Sequence, residues 1–228
     1  MILRTSARIT MLVLASLAMF GPLRASPRPI RAERLDVMAL AHASQRVGLR
    51  PEVLRLALRA RNRAAARGLS TRPVLTVIDY SLPSRERRLW VLDLAHARVL
   101  ARELVAHGRG TGDDRAVRFS NRPGSLQSSL GTFVTGAVYR GKHGLALRLR
   151  GLDPGLNDRA EARAIVIHGA PYVSEAVVAK LGRLGRSQGC PALSPAAAAR
   201  VIGLIGVGTV VFAYHPLRPE QSGKTAGG

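Results

Sequence analysis

From residue 73 onward the chain is a succession of short aliphatic runs, too brief for stable helices and separated by turn-forming residues. Residues 74–80, 89–94 and 98–105 are the first three runs, with Pro83-Ser84 and Ala95-His96-Ala97 between them. Residues 131–139, 145–149 and 164–168 are three further strand candidates, and 207–214 closes the series. One segment of this stretch reads firmly as a helix, Pro195–Ile205, with Ser194 as its cap and a proline in its first turn. Many short strands with one late helix predict a mainly β domain of sandwich or barrel type. No internal repeat is visible.

The region before it has a different texture. Residues 26–34 are rich in proline and arginine and read as a leader. Two helices are expected next. The second starts at Pro51, sets Val53, Leu56, Ala57, Ala60 and Ala64 on one face, and ends near Gly68. Residues 26–70 are therefore expected to be a leader and a small helical cap or spacer, and 216–228 a polar tail. Residues 1–25 have the order of a secretory signal: Arg4 and Arg8, then an apolar run over 9–20 broken by Thr10 and Ser16, then Gly21-Pro22 and a small residue, Ala25. Leu23 fits poorly upstream of such a cut, so retention as an anchor stays open. Export to the periplasm or cell envelope is the expectation.

The formal charge of +21 becomes +18 without residues 1–25, which hold Arg4, Arg8, Arg24 and no acid. A chain this basic is drawn to anionic polymers and anionic envelope surfaces. Arginine makes up 32 of the 35 basic residues, a bias that a GC-rich genome also produces. With an export signal and few aromatics, nucleic acid is not the expected partner. The six histidines are scattered, with no chelating pair, and Asp113-Asp114 and Asn157-Asp158 read as turns, so no metal or other cofactor is expected.

The chain has one cysteine, Cys190, in Gly185-Arg186-Ser187-Gln188-Gly189-Cys190-Pro191, twenty-two residues after His168. In an oxidising compartment a lone thiol is no half of an internal disulfide. His168 ends an aliphatic strand candidate, where the sheet would fix the ring at the rim. Arg183 and Arg186 precede the thiol and would favour its thiolate. Gly189 lets the chain turn so that the amides of Gly189 and Cys190 can face a developing oxyanion. On residue chemistry alone this is a possible thiol enzyme; a buried structural cysteine and a turn-satisfying histidine are the plainer alternative.

His168-Gly169 followed by Ser187-Gln188-Gly189-Cys190 resembles the His-Gly … Ser-x-Gly-Cys signature of the YkuD-like L,D-transpeptidases, and Ser129-Leu130-Gly131-Thr132-Phe133 resembles that family's Pro-x-Gly-x-Phe strand. More closely, the chain resembles the divergent murein L,D-transpeptidase catalytic domain family. That likeness runs from His107-Gly108-Arg109-Gly110 through Phe119-Ser120-Asn121, Gly141-Lys142-His143-Gly144 and Gly155-Leu156-Asn157-Asp158 to the His168 and Cys190 segments. It implies a β-rich catalytic domain over 71–215 and a cysteine acyl-transferase acting on peptidoglycan stem peptides. In that reading Cys190 is the nucleophile and His168 the base. The Ser187 carbonyl orients the imidazole, and amides near Gly189 and Cys190 hold the oxyanion. His143, Arg148, Arg186 and Gly169 are the candidates for substrate contact. Commoner members of the family carry an arginine two residues after the nucleophile; Ala192 stands there, so the charge is expected to come from Arg186 or Arg183. The alternatives are an L,D-carboxypeptidase or endopeptidase with the same site, and a non-catalytic cationic wall-binding module. The sequence does not give the oligomeric state.

Overall fold

The computed structural model describes residues 36–70, 72–141 and 144–216. The signal segment, the leader over 26–34, His143 and nearly all of the tail lie outside the described residues. Two helices come first, α1 (Val37–Arg46) and α2 (Pro51–Ala66), the latter with Pro51 in its first turn. Three strands follow: β1 (Val74–Asp79), β2 (Arg87–Asp93) and β3 (Arg98–Leu104). Next are β4 (Gly131–Gly141), β5 (Gly144–Gly151), β6 (Val166–Gly169), α3 (Glu175–Leu181), β7 (Ala192–Leu193), α4 (Pro195–Ile205) and β8 (Val210–Tyr214).

The strands form one sheet in the order β3-β2-β1-β8-β4-β5-β6-β7. Pairing is antiparallel except for β1 with β8 and β6 with β7. The two ends of the order approach each other. Past β3 the chain reaches β7, where the Ala106 N–H donates to the Ala192 carbonyl at 2.8 Å and the Ser187 N–H to the His107 carbonyl at 2.9 Å. The result is a mainly β, near-closed barrel, which leaves little free strand edge.

The interior is filled by α4. Ala197, Ala198, Val201, Ile202 and Ile205 pack with Ile78, Leu89, Val91, Leu147, Ile167 and Val211. On the outer face of β1, β2 and β8 the helices α1 and α2 bring Leu40, Val53, Leu54 and Ala57 against Leu75, Val77, Trp90 and Val210. Trp90, fully buried there, donates its indole N–H to the Val47 carbonyl at 3.0 Å. Each such large side chain contributes roughly 1.5–3 kcal/mol on burial. Covering both faces explains why β1 and most of β2 read as unbroken apolar runs rather than alternating ones.

Two elements go beyond the sequence reading. The short helix α3 has no buried residue, so it leaves no apolar stripe, although Ser174 caps it and Gly182 ends it in the left-handed region. The two-residue β7 is too short for any periodicity. The last strand starts at Val210 rather than 207, because Gly206 and Gly208 both adopt positive φ.

Candidate active site

The pairing of β6 with β7 brings the His168 and Cys190 segments to one junction. The parallel register pairs His168 with Ala192 and Gly169 with Leu193, so Cys190 enters this junction two residues before the partner of His168. His168 is buried, and Val166 and Ile167 anchor its strand in the core. Its Nδ1 lies 2.9 Å from the Gly169 carbonyl. A carbonyl only accepts, so this contact keeps the proton on Nδ1 and the lone pair on Nε2.

The Cys190 side chain is half-buried, and its Sγ–H points to the Ala164 carbonyl at 3.7 Å. Burial pushes the thiol pKa up; the Val166 backbone amide and the Arg163 guanidinium act in the opposite direction. Ala164 holds its carbonyl there from the left-handed region, at φ 54°, which is uncommon for alanine.

The turn before Cys190 is tied on both sides. Ser187 Oγ donates to the Cys190 carbonyl at 2.6 Å and accepts the Gly189 N–H at 3.1 Å. Ser128, fully buried, donates to the Gly189 carbonyl at 3.0 Å and accepts the Gly108 N–H at 3.0 Å. Gly108 is required by space: a Cβ there would lie 2.3 Å from the Leu126 carbonyl oxygen and 2.8 Å from Gly189 Cα. Gly189 itself sits at φ +126°.

Three of the expected groups sit differently from the sequence reading. The oxygen at His168 Nδ1 belongs to Gly169, where the resemblance implies Ser187; the Ser187 carbonyl instead accepts the Arg109 N–H at 2.7 Å. Ser187 lies beyond the end of the β6–β7 pairing, in the bridge to Gly108, so its carbonyl faces that side. The Gly189 amide is committed to Ser187 Oγ, which leaves the Cys190 amide as the turn's candidate oxyanion donor. Gly169 is buried, and a Cβ there would lie 2.9 Å from Pro195 Cα, so the glycine lets α4 start against β6.

The arginines named from sequence separate in space. Arg186 donates to Asp113 at 2.6 Å and to the Gly112 carbonyl at 3.2 Å, and Arg183 to the Leu184 carbonyl at 2.9 Å. Arg148 is exposed on β5, opposite Val166 in register, with its guanidinium 4.9 Å from the centre of the Tyr139 ring.

Sequence reasoning missed a buried network behind the turn. Arg88, with no exposed surface, donates to the Val105 carbonyl at 3.1 and 3.0 Å, to the Leu82 carbonyl at 2.6 Å and to His107 Nδ1 at 2.8 Å. His107 must therefore accept at Nδ1 and donate from Nε2 to the Gly112 carbonyl, 3.2 Å away. Burial and the neighbouring Arg88 bring the His107 pKa down to about 4, so the ring is neutral. Arg88 also lies 5.1 Å from the centre of the buried Tyr80 ring, whose hydroxyl burial pushes up to about 12. The one sequence signal was His107-Gly108, which stands at the head of the motif series. Among the described residues no three His, Cys, Asp or Glu side chains converge as a metal site requires.

A family model described as an L,D-transpeptidase catalytic domain matches residues 45–214. No curated protein matches. Among solved structures, an L,D-transpeptidase from Mycobacterium smegmatis is 20% identical over 63% of this chain and 59% of that one, with a TM-score of 0.39. L,D-transpeptidase 3 from Mycobacterium tuberculosis, in complex with a faropenem-derived adduct, is 16% identical over 63% and 60%, with a TM-score of 0.38. An L,D-transpeptidase from Xylanimonas cellulosilytica is 18% identical over 67% and 68%, with a TM-score of 0.35. The first two alignments span about three-fifths of the solved chains.

Proposed function

Since the chain belongs to the L,D-transpeptidase catalytic domain family, we propose that it is an exported cysteine acyl-transferase acting on peptidoglycan stem peptides. The observation that supports this reading is the β6–β7 register, in which His168, its Nδ1 tied to a carbonyl, pairs with the residue two after Cys190. A base oriented in this way has its lone pair on Nε2, ready to take a thiol proton.

The reaction follows from these groups. His168 Nε2 takes the Cys190 proton as Sγ attacks the carbonyl between the L-centre of a diamino acid and the terminal D-alanine. The oxyanion forms beside the Cys190 N–H. When the tetrahedral adduct collapses, the C–N bond breaks, His168 returns the proton to the departing amine, and a thioester remains on Cys190. The amine of a second stem then attacks the thioester, and His168 takes its proton. An amide crosslink forms and the thiol is regenerated. Water in place of that amine gives the free acid and a carboxypeptidase outcome.

The raised thiol pKa fits this order of events. Cys190 rests as a thiol and ionises as the substrate carbonyl arrives. Export and an envelope location belong to the same proposal and rest on the order of residues 1–25; among the described residues no helix is long and apolar enough to cross a membrane.

The test is intact-protein mass spectrometry after incubation with a carbapenem and, separately, with a tetrapeptide stem, beside Cys190→Ala. An adduct on the wild type that is absent from the variant is the expected result, and the released product then separates crosslinking from hydrolysis. Wild-type protein that is folded, has a free thiol and forms no adduct with either reagent would leave the wall-binding module as the better account.

A further inference from the structure

Ala192 stands where commoner family members have an arginine, and the fold explains why none fits there. The residue has no exposed surface. It pairs with His168 on one side and with Ala106 across the barrel seam on the other, packed among Leu104, Ala170 and Leu184. A guanidinium at this position would be buried in an apolar layer without acceptors, at a cost of several kcal/mol.

A different arginine reaches the thiol turn from the opposite side. Arg163 precedes β6 by three residues and is half-buried. Its Nη1 donates to the Ser120 carbonyl at 2.7 Å and to Ser129 Oγ at 2.6 Å. Its Nη2 donates to the Gln127 carbonyl at 2.5 Å and to Ser125 Oγ at 3.3 Å. All four acceptors are neutral and lie within 120–129. Among the described residues no carboxylate pairs with Arg163, although Asp113 and Asp114 take Arg186 and Arg85. Its positive charge is therefore not cancelled locally.

The same group lies against the nucleophile's turn. A Cβ on Gly189 would be 3.3 Å from Arg163 Nη2 and 2.9 Å from the Gln127 oxygen that Arg163 holds. Gly189 thus rests on a wall made of the guanidinium and the loop it gathers. We infer that Arg163 is the positioning residue of the nucleophile: its fork fixes the 120–129 loop against Gly189, and its charge favours the Cys190 thiolate and the oxyanion formed next to it. Burial raises the thiol pKa and lowers that of Arg163, and the two groups act on each other against those shifts, Arg163 favouring the thiolate and Cys190 the guanidinium. This role rests on reading Cys190 as the nucleophile, and it assigns to Arg163 the charge that the sequence had placed on Arg186 or Arg183.

The test uses the full chain and a probe that needs no substrate, the rate of Cys190 alkylation by iodoacetamide from pH 6 to 10. Arg163→Met, Arg163→Gln and Arg163→Lys are compared with wild type, with melting temperatures recorded for each. A nearby cation favours an acid's ionised form, so folded Arg163→Met should alkylate at least about threefold more slowly at neutral pH, with its profile displaced to higher pH. Arg163→Lys restores the charge without the fork and should return the profile most of the way to wild type. An unchanged profile in folded Arg163→Met overturns the inference. If that variant does not fold, Arg163→Gln, which keeps an amide donor but no charge, decides by the same criterion. Carbapenem acylation measured in parallel keeps the two readings apart: a wild type that alkylates but is never acylated sinks the acyl-transfer proposal, while the alkylation profiles still decide whether Arg163 lowers the thiol pKa.

Discussion

Gly108→Ala is the most direct test of how the thiol turn is held. The methyl group would sit 2.3 Å from the Leu126 carbonyl oxygen, 2.8 Å from Gly189 Cα and 2.9 Å from Gly189 N. All three are main-chain atoms, so no side chain can swing aside. Ordinary contact begins near 3.4 Å, and the two backbones must separate by roughly 1 Å. The Leu126 side is restrained: its φ is 59°, and its carbonyl already accepts the Gly110 N–H at 3.0 Å. Backing away from Leu126 drives residue 108 onto Gly189, which is already too close, so the displacement is passed to Gly189 and with it to Cys190. Overpacking of this kind costs about 1–3 kcal/mol. For a domain of this size that lowers Tm by roughly 2–10 °C. A displacement of about 1 Å at a reacting group costs on the order of 100-fold in rate. The assay is the rate of carbapenem acylation at Cys190, followed by mass spectrometry, with Tm from thermal unfolding. Gly124→Ala is the control: Gly124 has positive φ, which Gly108 does not, but nothing lies within 4 Å of its Cβ position. That variant should lose a little stability and keep its acylation rate. Gly108→Ala that acylates at the wild-type rate would refute the argument, whether or not Tm falls, because the turn would then not depend on this contact.

Two further outcomes follow from the same geometry. His107 has its pKa lowered from 6.5 to about 4, so its neutral form stabilises the fold above the unfolded value, and that contribution is lost as pH falls from 6.5 through 4. The amount is on the order of 3 kcal/mol. Urea unfolding at several pH values should show a steep loss over this window in wild type and a flatter one in His107→Asn; parallel slopes would remove His107 as the cause. Ala164→Gly should depart from the usual cost of an alanine-to-glycine change. Relief of the left-handed strain at φ 54°, about 1–2 kcal/mol, equals or exceeds the added unfolded-state entropy of about 0.4–1 kcal/mol, so the variant should be as stable as wild type or up to about 1.6 kcal/mol more stable. A loss of about 1 kcal/mol or more in chemical unfolding would count against strain at that residue.

Much of the β framework was legible because burial on both faces leaves unbroken aliphatic runs, as in β1 and β2. The cap of α4 was legible for a local reason: Ser194 accepts the Ala197 N–H one turn on. What escaped notice lacked a local signature. Helix α3 has no fully buried residue, and β7 is two residues long. Arg88 looks like one more charge beside Arg87 until the fold seals it against Val105, Leu82 and His107. Ser128 is one of three polar residues in a row, and only the chain crossing at Gly108 and Gly189 makes it a bridge.

The candidate site divides in the same way. The residue types alone nominated Cys190 and His168, because a single thiol after glycine and a histidine ending an aliphatic strand are features of the local chain. The groups that tune them come from elsewhere. The neighbourhood in sequence pointed to Arg183 and Arg186, four to seven residues from the thiol, yet their guanidinium groups turn to Leu184 and Asp113. Arg163, twenty-seven residues away, lies against Gly189 because β6 and the 120–129 loop close over the turn. Covalent proximity limits which residues can be near each other along a strand, but charge acts through space. The sequence by itself therefore determined the candidate nucleophile, its candidate base and the β-rich frame that carries them, whereas only the tertiary structure decided which arginine lies against Gly189 and which carbonyl meets the His168 ring.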